Sequence, residues 1–200
     1  MAEMTRPRLI TALTLCILPL TACGPETAQQ ASEQTTTPTT ATASPTELTV
    51  GQGTFPDPDN VDRSDVEATA ETAALIIHSW DTATDCTQTA AAIRAKPLMS
   101  EEWANNQIEP ERNGNQAAWL EPAEHQAYSS PSLVPAVGDV SRDVAKDKAI
   151  RAYDLTWQWI SRDGHQIEAT GQRQVVIYLE KHNGQWDVVG HQSQDMGNTE

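Results

Sequence analysis

In the last third of this chain apolar side chains recur at every second position. Tyr153, Leu155, Trp157 and Trp159 share one side of a run over 149–161, and Ala152, Asp154, Thr156 and Gln158 share the other. A period of two predicts a half-buried strand. Two further extended runs follow, 166–181 with Val175, Ile177 and Leu179 on one side, and 185–193 with Trp186 and Val188 together. The dipeptides between the runs, Asp163-Gly164 and Asn183-Gly184, are those favoured in two-residue hairpins. The three runs therefore read as an antiparallel meander. A weaker strand over 127–134 holds Pro131 and belongs at an edge, and 139–148 reads as a charged connector. Strands of a dozen residues span about 40 Å, so the sheet must twist and coil, with Gly171 the expected bulge.

Upstream the period changes to 3.6. Ser64-Asp65-Val66-Glu67 fits a capping box, and the helix that follows carries Val66, Ala70, Ala73, Ile77 and Trp80 on one side. Glu67, Glu71 and His78 fall on the opposite, solvent side. After a short loop over 81–85, a second helix ends before Pro97. Ser100-Glu101-Glu102-Trp103 starts a third, with a serine cap and acids in its first turn. Asp81 and Asp85 form a two-carboxylate pair that reads as capping at a helix start, with catalysis or calcium binding as the other reading. Cys86 lacks a neighbouring histidine in sequence and reads as a buried or incidental thiol rather than a reactive one. Trp119 opens a segment of unassigned type.

The first residues follow neither period. Arg6 and Arg8 precede an apolar run over 9–20, which is about a dozen residues and too short to span a bilayer of roughly 30 Å. That is the layout of a signal peptide. Leu20-Thr21-Ala22-Cys23 follows, and it resembles the lipobox of bacterial lipoproteins at all four positions. The resemblance implies that the Cys23 thiol receives a diacylglyceryl group, that cleavage leaves Cys23 as the first residue, and that the lipid, palmitate among its chains, is an extracytoplasmic membrane anchor. Each buried CH₂ contributes about 0.8 kcal/mol, so two long chains hold durably. From Gly24 to about residue 56 the chain is rich in Thr, Ala, Gln, Ser and Pro and lacks the apolar surface to offset ordering entropy. It reads as a disordered linker, either plain or O-glycosylated. The organisation expected is a signal over 1–22, a linker over 23–56 and one domain over 57–200.

Charge narrows the partners. The chain has 28 acidic and 13 basic residues, and such a surface repels phosphates, which argues against nucleic-acid binding. The chain holds 3 cysteines. Cys16 leaves with the signal and Cys23 carries lipid, so Cys86 is the sole free thiol and no intramolecular disulfide forms.

Helices first and then a long meander curling over them resembles the cone-shaped α+β barrel of the nuclear-transport-factor-2-like superfamily. The stretches that carry the resemblance are I-H-S-W-D-T-A-T-D over 77–85 and Y-L-E-K-H-N-G-Q-W-D-V-V over 178–189. It is nearest to actinobacterial extracytoplasmic members, among them conjugative-transfer, type IV secretion and mammalian-cell-entry-associated proteins. Enzymes of that superfamily, isomerases and cyclases, place an acidic or histidine base inside the cone. Here the expected lining includes Tyr153, Trp157, Trp159, Arg173 and Trp186, with no Asp, Glu or His, and an arginine does not serve as a base near neutrality. His165 and His182 fall at turns, and His191 falls on the face opposite Trp186. No paired-histidine spacing, Cys pair or phosphate loop appears, and no cofactor or metal is expected. The functional expectation is a lipid-anchored, non-enzymatic interaction domain with a protein partner, the Glu67 and Glu71 face being available to a basic one. The alternative is a module holding a small apolar ligand in the aromatic cone, with an isomerase-like enzyme as the third reading.

Overall fold

The computed structural model describes residues 47–114 and 116–196. The signal, Cys23 and the linker up to residue 46 lie outside the described residues. The element order is β1 (Glu47–Val50), β2 (Gly53–Pro56), α1 (Val66–Ile77), α2 (Thr89–Arg94), α3 (Glu101–Asn105), α4 (Gln116–Glu124), β3 (Tyr128–Pro135), β4 (Arg142–Ala145), β5 (Lys148–Ile160), β6 (Thr170–His182) and β7 (Gln185–Asp195).

The main sheet is antiparallel throughout, in the order β3-β5-β6-β7, with β4 paired to β5 beyond the end of β3. Helix α1 touches β3, β5, β6 and β7, so the sheet curves around it. The fold is α+β, helices packed in a strongly curved antiparallel sheet, as the two periods in the sequence predict. The core holds Ala70, Ala73 and Ile77 of α1 against Tyr153, Leu155, Val175, Ile177, Leu179 and Val188. A second cluster gathers Trp80, Trp119, Trp159 and Ile167, with Trp157 against both.

Several boundaries differ from expectation, each for a local reason. The last ten residues of the expected linker form the β1–β2 hairpin, because Phe55 is an apolar anchor buried to 2% exposure. The α1 cap is Asp65 rather than Ser64: its carboxylate accepts from the Glu67 and Ala68 amides, while Ser64 bonds Asp62. Asn183 and Gly184, with φ of 52° and 85°, make the expected tight hairpin. Asp163-Gly164 does not; residues 161–169 form a longer loop, because Ile167 is drawn out of the ladder into the tryptophan cluster. The charged connector folds back as β4. Gly171 is not a bulge but pairs with Trp157, and a Cβ there would sit 1.9 Å from the Trp157 ring. The bulge is on β7, where Val189 is the extra residue between the Leu179–Val188 and Tyr178–Gly190 pairs.

Candidate functional site

Two buried Asp–Arg pairs account for the acidic pair at 81 and 85. Asp85 takes a fork from Arg94 at 2.5 and 2.8 Å, and Asp81 takes one from Arg162 at 3.0 and 2.7 Å. Asp85 also accepts the Asp81 amide at 2.9 Å, and Asp81 accepts the Ala83 amide at 3.0 Å. Each guanidinium lies over an aromatic ring, Arg94 over Phe55 and Arg162 over Tyr128. These carboxylates are structural, as expected, but through ion pairing rather than helix capping. Cys86 beside them is exposed, not buried.

The aromatic lining is largely where the alternation puts it. Tyr153, Trp159 and Trp186 are buried, and Trp157 and Arg173 are half-buried. The rings close on one another. Trp80 meets Trp157 edge-on at 5.3 Å and Trp159 at 6.1 Å, and Trp119 meets Trp159 at 6.1 Å. The Arg173 guanidinium caps this stack, 4.9 Å from the Trp157 ring and 5.6 Å from Trp80, and its Nε donates to Asp195 at 2.5 Å. Trp186 lies under Lys181.

Two histidines join this interior against expectation. The Val189 bulge shifts β7 by one residue, so His191 pairs with Ile177 and shares the inner face with Trp186 and Val188. Its ring meets Trp103 edge-on at 5.8 Å, and burial holds it below the usual histidine range. His78 was expected at the surface and is 1% exposed. The sheet curls far enough around α1 to cover the helix side that periodicity assigned to solvent. The His78 Nδ1–H donates to the Ala74 carbonyl at 2.8 Å, so Nε2 keeps its lone pair, 3.4 Å from the Ser193 hydroxyl. One sequence signal for the bulge was present: an isolated glycine, Gly190, inside a strand pattern.

Burial is the main cause that lowers the His78 pKa to about 4; the bond to Ala74 opposes it, and Arg173 and His191 lower it further. A general base at neutral pH needs a pKa near 7, so this pinned, neutral imidazole is poorly matched to proton abstraction. It does tie stability to pH. The folded pKa lies below the unfolded value of about 6.5, so the unfolded chain binds the extra proton. Stability is full above about pH 6.5 and falls as pH drops toward 4, by roughly 3 kcal/mol. Urea unfolding across that window should show the slope, and His78→Gln should flatten it relative to wild type.

Glu67 of the expected partner face is engaged within the chain: its carboxylate accepts from Arg151 Nε at 2.5 Å and faces the Tyr153 hydroxyl at 3.4 Å. Glu71 is half-buried, and its pKa is raised by burial, then by Glu67 and Asp65. His125 and His165 stack in parallel at 3.8 Å, with Asp163 bonded to His125 at 2.7 Å and Glu121 3.7 Å from His165. Parallel rings do not aim their lone pairs at one point. Among the described residues no three His, Cys, Asp or Glu side chains converge as metal ligands.

Two surface grooves reach the aromatic cluster: Trp159 and Ile167 border one, and Trp157 and Gly171 border another. The remaining walls of the groove at Trp157 are polar: Ser130, Ser132, Thr156, Gln158, Thr170 and Gln172. No helix among them is long and apolar enough to cross a membrane.

No protein-family model matches the sequence, and no curated protein matches it. Among solved structures the chain is similar to the VirB8 protein of Agrobacterium tumefaciens, at 15% identity and a TM-score of 0.44, over 68% of this chain and 93% of that one. It is also similar to a protein from Xanthomonas campestris described as a calcium/calmodulin dependent protein kinase II association domain. That overlay has 15% identity and a TM-score of 0.36, over 67% of this chain and 87% of that one.

Proposed function

We propose that this chain is a lipid-anchored, extracytoplasmic interaction domain without catalytic activity, working in an envelope or transfer assembly. The observation that carries the reading is the interior: Trp80, Trp157, Trp159 and Trp119 pack on one another, Arg173 is paired with Asp195, and His78 is held neutral. An acid–base reaction needs a tuned group facing a substrate, and a ligand-holding cone needs an open mouth. Trp157 and Trp159 border shallow surface grooves, while Trp80 and Trp119 are buried against them and the stack is filled by its own ring contacts. The anchor rests on Leu20-Thr21-Ala22-Cys23 with its basic and apolar flanks. The actinobacterial origin and the transfer assembly rest on the sequence resemblance alone.

The test compares wild type with Cys23→Ala in intact cells, followed by crosslinking and fractionation. Cys23→Ala is expected to leave the membrane fraction, or to stay uncleaved, and to lose the crosslinked protein complex. A still-lipidated, membrane-bound Cys23→Ala form would overturn the anchor. Tight binding of a hydrophobic small molecule, with a change in tryptophan fluorescence, would move the function into the cone.

A further inference from the structure

The edges of the sheet are treated unequally. On one side β3 carries Pro131 and Pro135, and β4 carries Arg142 and Asp143, followed by Lys146. Prolines and charges are the devices that stop edge strands from pairing. On the other side, the first half of β7 is occupied by the chain itself. The Trp186 amide donates to the Arg63 carbonyl at 2.7 Å, and the Val188 carbonyl accepts from the Ser100 amide at 3.0 Å. Beyond the Val189 bulge no described segment pairs with the edge of β7 that faces away from β6. That half reads Gly190-His191-Gln192-Ser193-Gln194, with no proline, lysine or carboxylate before Asp195.

The direction of its backbone groups follows from the ladder. Opposed residues in an antiparallel pair alternate between exchanging both hydrogen bonds and exchanging none. The Met196 amide donates to the Gln172 carbonyl at 3.0 Å, and Gln194 and Gln192 face Gln174 and Val176 in the same phase. The N–H and C=O groups of His191, Ser193 and Asp195 therefore point away from β6, toward the open edge.

We propose that this half of β7 pairs antiparallel with the same strand of a second copy of the chain, centred on Ser193, to make one continuous sheet across a two-fold axis. The occupant is a second copy because the strip is complementary to itself. With Ser193 opposite Ser193, His191 meets Asp195 of the second copy and Gln192 meets its Gln194. Hydroxyl and amide pairs are favourable cross-strand combinations, and His191, kept neutral by burial, sets no like charge opposite Asp195. A formal charge of −15 disfavours self-association over most of the surface, whereas here the one carboxylate of the strip, Asp195, is already paired with Arg173 of its own chain. This pairing is independent of the lipid anchor.

The test uses the full chain in membranes with Cys86→Ser as the parent, so that the exposed thiol is silent. Ser193→Cys places two thiols on Cα atoms about 5.5 Å apart in a hydrogen-bonded pair, inside the range a disulfide bridges. Thr156→Cys, exposed on the outer face of β5, is the control. Mild oxidation is expected to give at least ten times more covalent homodimer from Ser193→Cys than from Thr156→Cys or the parent. Equal yields, no dimer, or a crosslinked species with the mass of a different protein would overturn the pairing. Ser193→Lys, which sets two ammonium groups face to face, should raise the concentration at which the detergent-extracted full chain dimerises by tenfold or more. An unchanged dimerisation midpoint, with the melting temperature retained, would count equally against it.

Discussion

Asp81→Ala should destabilise the domain by about 3–5 kcal/mol, the range for removing one partner of a buried ion pair. Asp81 is 0% exposed and its two oxygens hold the Arg162 fork and the Ala83 amide. Removing the carboxylate leaves a guanidinium, 13% exposed, without its counter-charge. Arg162 also donates to the Gln126 carbonyl and lies over Tyr128, so it does not swing freely to water. The effect is separable from simple loss of contacts. Asp81→Ala combined with Arg162→Ala should cost less than Asp81→Ala alone, because the unpaired charge goes as well. Urea unfolding midpoints measure both. Lys148→Ala, which breaks the exposed pair with Glu180, should stay within about 1 kcal/mol. A single mutant no worse than that surface control would mean that Arg162 is solvated.

Trp159→Ala should cost about 3–5 kcal/mol as a large core truncation, while Gln158→Ala, one residue away, should change stability by no more than about 0.5 kcal/mol. Trp159 is 8% exposed and sits between Trp80 and Trp119, which join α1's exit to α4. Gln158 points to the outer face opposite Thr170 and Ser130. Equal losses at the two positions would mean that β5 is turned over or that its outer face is covered.

The alternation along β5, the helical period over 66–77 and the Asn183-Gly184 turn were enough to read an α+β domain with a curved antiparallel sheet, and to put Tyr153, Trp159 and Trp186 inside. Those features are local: a period of two or 3.6 states which side chains must leave water, and a turn dipeptide states where the chain reverses. The proposed anchor at Cys23 rests on the sequence alone, in Leu20-Thr21-Ala22-Cys23 and its flanks. Tertiary structure decided what depends on distant partners. His78 lies on the helix side that periodicity gives to solvent, and it is buried because β7 curls over it. His191 changed faces because one extra residue, Val189, reverses the parity of everything after it. The charges of Asp81 and Asp85 are met by Arg162 and Arg94, and the first of these stands 81 positions away. Phe55, alone in a polar stretch, became a core residue because a pocket made by other elements accepts it. A pattern along the chain ranks residues by their need for burial; which charges meet, and which strand edge stays open, is set only when the elements close on one another.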